Sequence, residues 1–159
     1  MLRNAAFVLI CALISAEPRS GDSNTSLPST KDILQEIKNI TGEDDRESRE
    51  KKIEKMSGDV FVVWKSGTIN TLDTNVISHL IPFLDDDSDV VRGQVACAIG
   101  YFGSRAKIAV PYLRAAEKRE IEEVIAAAKA SGEKTVMAPA YDSTACIEQA
   151  LSRIDDASH

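Results

Sequence analysis

Aromatic side chains make up only 5% of this 159-residue chain, which has two histidines and three cysteines. With so few rings, a core must rest on Ala, Val, Ile and Leu. Two histidines and three cysteines leave few ligands for a His/Cys metal site. No Gly-rich phosphate loop, G-x-S-x-G, H-E-x-x-H or C-x-x-C occurs. His79 has no nucleophile–base–orienter set near it in sequence, and His159 is terminal. No catalytic, cofactor-binding or metal-ligating residue is therefore assigned. A cationic excess is missing too: 19 Lys+Arg against 25 Asp+Glu give a net charge of −6. That argues against nucleic acid as partner, because a basic face is needed to displace phosphate counterions.

Long apolar runs are also absent. The longest, Ala5–Ile14, is well short of the roughly 20 residues of a membrane-spanning helix. It follows Arg3 and precedes the small residues Ser15 and Ala16, so residues 1–16 read as a secretory signal peptide. Export to the periplasm or outside the cell is the expectation. Residues 17–29, EPRSGDSNTSLPS, read as a flexible linker. Cleavage would remove Cys11 and leave Cys97 and Cys146 in a disulfide-permissive compartment. The pair is a candidate disulfide, set against two small buried cysteines on helices.

What is present is 43% hydrophobic and 28% charged, the composition of a globular chain of about one domain. Ser29 and Asp32 form an S-x-x-D capping pattern before the stripe Ile33, Leu34, Ile37, Ile40. Residues 43–55 are almost wholly charged, with opposite charges such as Glu47 and Lys51 spaced for one exposed helix. Gly58 interrupts the pattern. Val60–Trp64 fits a strand or a buried helical turn, and the helical context favours the turn. Further helical stripes run over Val76–Leu84, Val91–Phe102, a third helix opening at Ser104 and continuing to Ser131, and Ile147–Ile154. A loop is expected over 132–142. The fold class is all-α, with no β-α alternation.

An internal repeat runs through these helices. Ile81-Pro82-Phe83-Leu84 recurs as Val110-Pro111-Tyr112-Leu113, an offset of 29, and Ala98-Ile99 aligns with Ala150-Leu151 at 52. The second unit thus holds 23 extra residues, an insertion at about 117–140. Proline twice at equivalent helical positions implies a bend there. The stretch VISHLIPFLDDDSDVVRGQVACAIGYFGSRAKIAVPYL, residues 76–113, resembles the HEAT-like repeat family of α-solenoids. The resemblance implies a short right-handed α-solenoid of about three helix pairs within 30–159, at 30–66, 75–103 and 104–154. It also implies that Asp89 and Arg92 hydrogen-bond within and between stacked units. Thr144 stands where the last unit would carry the equivalent of Arg92, which fits a terminal capping unit.

The same resemblance implies a non-enzymatic module that holds a protein or peptide on the side lined by the second helix of each pair. Tyr101, Tyr112 and Arg105 are candidates for that surface, since aromatic and arginine anchors are common at interfaces. Phe102 and Trp64 are expected in the core. Asp85, Asp87 and Asp89 have the first spacings of a calcium loop, but Val90 and Ala96 replace its Gly and Glu. Helix capping is the better reading of these acids. The competing function is an enzyme-accessory or lyase-like role, since some HEAT-like repeats occur in bilin lyases; Cys97 or Cys146 would be its reactive thiol.

Overall fold

The computed structural model describes residues 26–131 and 143–156. The expected signal peptide, the linker up to residue 25 and the loop over 132–142 lie outside the described residues. Among those described, every regular element is helical and no strand occurs. Helix α1, Thr30–Thr41, starts with the capping box read from sequence: Ser29 Oγ accepts from Asp32 N at 3.3 Å, and Ser29 N donates to Asp32 Oδ2 at 2.9 Å. It buries Ile33, Ile37 and Ile40.

Helix α2, Arg46–Lys65, corrects two expectations. Gly58 does not interrupt it, and residues 60–64 are helical as the context favoured. Glycine costs a helix interior about 1 kcal/mol relative to alanine. The stripe Ile53, Met56, Ser57, Val60 and Val63 lies on one face and carries the helix past that cost. Gly58 is on the opposite, exposed face, and a Cβ there would meet nothing within 4 Å. Trp64 is not a core residue: it is 37% exposed, because Val60 and Val63 take the inward positions of its turn. Phe102, by contrast, is buried as expected.

Neither of the two repeated prolines bends a helix from within. Helix α3 is only Asn75–Leu80, and Pro82 opens a 3-10 segment, Ile81–Asp85. The third helix does not begin at Ser104. A 3-10 segment covers Gly103–Ala109, with Ala106 out of helical range, and α5 runs Val110–Ser131. Pro111 is its second residue. Proline has no N–H and clashes with the preceding turn, so it is accommodated where a helix begins. Helix α4 is Asp89–Gly100, capped by Ser88, and α6 is Ser143–Asp156.

Contacts between elements define two layers. Helices α2, α4 and α6 lie side by side with α4 in the centre. On their other side, α1 packs on α2 and α3, the Ile81–Asp85 segment packs on α4 and α5, and α5 packs on α6. One core runs through both layers, from Ile33 and Ile53 through Ile77, Val95 and Leu113 to Ile147 and Ile154. Helices α4 and α6 cross so closely that a Cβ on Gly100 would lie 2.8 Å from Ala150 Cα. Beyond Glu120, α5 leaves the core, and Ile121, Val124 and Ile125 are exposed. Among the described residues no helix is long and apolar enough to cross a membrane.

Candidate functional site

Arg92 lies at the junction of three elements and is 1% exposed. Its Nε donates to Glu120, its Nη2 to Glu123 at 2.8 Å, and its Nη1 to the Asp86 carbonyl at 2.8 Å. It thus joins α4 to its own preceding turn and to α5. Burial works against its charge, but the hydrogen bond to Glu120 and the charges of Glu120 and Glu123 outweigh that and hold its pKa above the ordinary guanidinium value. Asp89 does something different from Arg92: its carboxylate accepts from Val90 N in the first turn of its own helix and faces Arg46 of α2 at 3.7 Å.

The residue that repeats the role of Arg92 is Arg49. Each is the fourth residue after its helix cap, Asp45 or Ser88. Arg49 Nη1 donates to the Glu43 carbonyl six residues back at 3.2 Å, just as Arg92 reaches Asp86 six residues back. Arg49 also donates to Asp87 at 2.6 Å and to Asp86 at 3.2 Å, across to the next turn. Sequence reading passed over Arg49 because it lies in the charged run; its spacing from the cap was the available signal. In the same junction Ser88 Oγ donates to Glu50 at 2.5 Å. That bond, with the Arg46 guanidinium, holds the Glu50 carboxyl below its ordinary pKa. The acidic turn 85–89 is therefore neutralised by arginine: Arg119 pairs with Asp85, Arg49 with Asp86 and Asp87, and Arg46 with Asp89.

A second arrangement lies on the α2–α4–α6 layer. The rings of Phe61, Trp64 and Tyr101 form a triangle with centroids 5.0 to 5.7 Å apart. Arg153 of α6 lies 5.2 Å from the Trp64 ring and 4.9 Å from that of Tyr101. Lys65 stands over Phe61 at 5.9 Å. Rings that keep one face open while a cation packs on another offer both apolar area and charge to a ligand. Burial raises the Tyr101 phenol above its ordinary pKa; Cys97 and Cys146 add to this, and Arg153 opposes it. The Arg153 Nη1 atom is covered and has no hydrogen-bond partner among the described residues.

The three residues expected to share an interaction surface do not converge. Tyr101 belongs to the ring triangle. Tyr112 lies on α5, where it is half exposed and lines a cleft of about 500 Å³ with Pro82, Asp85 and Arg119. Arg105 is a clamp: it donates to the carbonyls of Ile69 at 3.0 Å and Leu72 at 2.7 Å. Its guanidinium also packs over the Phe102 ring at 5.8 Å. Phe61, Trp64 and Arg153 were not picked out from sequence as surface residues, because only the packing of three distant helices brings them together.

Cys97 and Cys146 meet on the α4–α6 seam, with their sulfurs 2.7 Å apart and both residues half-buried. His79 is exposed, and its Nδ1 donates to the Asn75 carbonyl at 2.9 Å. Among the described residues no three His, Cys, Asp or Glu side chains converge to hold a metal ion. Compared with family models, characterised proteins and solved structures, the chain shows no significant match to any of them.

Proposed function

We propose that this chain is an exported, short right-handed α-solenoid of three helix pairs in the HEAT-like manner, and that it acts as a protein–protein interaction module. The pairs are α1 with α2, α3 and its 3-10 extension with α4, and α5 with α6. The side-by-side packing of α2, α4 and α6 and the repeated arginine after the caps of α2 and α4 support the stacked arrangement. In a stack, each pair covers the apolar flank of its neighbour, and the layer of second helices is left as a continuous surface.

The observation that carries the binding role is the ring triangle on that surface, with Arg153 packed on it. Tryptophan, tyrosine and arginine dominate the energetics of protein interfaces, and here they stand together. The ligand is a protein or peptide. The test is capture from the exported fraction on immobilised wild-type protein, followed by titration of the purified captured protein. A captured protein that binds the wild type and is weakened about tenfold or more by Trp64→Ala supports the module. Equal binding by wild type and a folded Trp64→Ala variant would show that the surface is elsewhere, and failure to retain anything would remove the proposed role.

A further inference from the structure

We propose that Cys97 and Cys146 are an oxidation site, which a disulfide-bearing oxidant converts into a covalent bridge between α4 and α6. This stands apart from the interaction role and does not depend on it.

The geometry rests on the helix crossing as a whole. Along the seam, Cys97 meets Cys146, Gly100 meets Ala150, and Tyr101 meets Arg153. Positions rise together on the two helices, so α4 and α6 run parallel and in step. At Gly100 the backbones approach until no side chain fits between them, with Ala150 Cα 2.8 Å from the place of a Cβ. One turn before that point on each helix stands a cysteine. Backbones held this close give two cysteine side chains the short span that a disulfide requires. Both residues are half-buried rather than sealed in the core.

The chemistry balances with the oxidant named. The thiolate of one cysteine attacks a sulfur of the oxidant's disulfide, forming a mixed disulfide and expelling one thiolate. The second cysteine, as thiolate, attacks the protein-side sulfur and expels the other. The protein loses two electrons, which reduce the oxidant to two thiols. The two protons released by the cysteines go to those departing thiolates.

Closure would tie residues 49 apart in sequence. Cross-linking a loop of that length shifts an unfolding equilibrium by about a thousandfold in the chain-entropy account. It would also fix the register of α6, which carries Arg153 over Trp64 and Tyr101.

The test treats the purified chain with oxidised glutathione, then unfolds it in iodoacetamide without reductant and digests it with trypsin. The expected product is one species joining Gly93–Arg105 to Thr135–Arg153, lighter than the two peptides together by two hydrogens and separable by reductant. Recovery of both peptides alkylated would overturn the proposal, as would a link from either cysteine to Cys11 or to a second chain. Thermal melting supplies an independent measure. Oxidised wild type should melt above reduced wild type, and Cys97→Ser should melt alike with or without oxidant. Identical melting of oxidised and reduced wild type would refute the stabilising bridge.

Discussion

Helices α2 and α4 start from the same device. Each has a side-chain cap, Asp45 or Ser88, and each places an arginine four residues later that reaches back to the carbonyl six residues before it. Their surroundings then diverge. Helix α2 buries a single stripe, whereas α4 lies between α2 and α6 and buries residues on nearly all sides, including Gly93 and Gly100. The Arg49 side chain is 13% exposed and that of Arg92 only 1%. The comparison teaches that coverage, more than the bonds themselves, sets what each device is worth. A covered charge has no water to turn to when its partner is removed.

Four substitutions test that statement. Arg92→Ala should have the largest effect, a loss of about 3–5 kcal/mol in chemical denaturation, because it leaves Glu120 buried without its partner. Replacing both, as Arg92→Met with Glu120→Leu, should recover most of the loss; if the double variant is as unstable as the single one, the unpaired charge is not the cause. Gly100→Ala comes next, at about 2–3 kcal/mol, because its methyl meets the backbone of Ala150 and must push α4 and α6 apart. Arg49→Ala should cost about 1 kcal/mol, since one of its carboxylate partners, Asp87, is 77% exposed and solvent can replace the interaction. A loss as great as that of Arg92→Ala would break the comparison. Gly58→Ala is the smallest and has the opposite sign: a gain of about 0.5–1 kcal/mol in thermal or denaturant unfolding, because the site is an open helical surface. A loss there would mean that α2 is covered at Gly58 after all.

Much of the helical order could be read from sequence because it is locally encoded. The Ser29–Asp32 box and the stripes of α1, α4 and α6 depend on residues within a few turns of one another. Gly58 was misjudged because glycine propensity is local, whereas the burial of Met56, Val60 and Val63 that overrides it is tertiary. Pro82 and Pro111 were read as bends at equivalent positions; Pro82 instead falls in a 3-10 segment after the short α3 and Pro111 at the start of the long α5, a difference that depends on how the neighbouring turns pack. Arg92 stood out through its family-like position. Its partners Glu120 and Glu123 did not, since exposed glutamates and a buried one look alike in a helical charge run. The candidate binding surface was the least legible part. Tyr101 was singled out, but Phe61, Trp64 and Arg153 join it from two other helices, and no spacing in the chain announces that meeting.

Arg105 holds the connection between α2 and α3 mainly by main-chain oxygens, at Ile69 and Leu72, with the Asn70 side-chain oxygen a longer third acceptor at 3.4 Å. Every amino acid presents the same carbonyl, so the two shorter bonds do not depend on which residues fill the positions between. The side chains of Asn70 and Thr71 add only an outer fastening, to Arg105 and to the Thr68 carbonyl, so that edge of the molecule can diversify in sequence as long as the guanidinium stays.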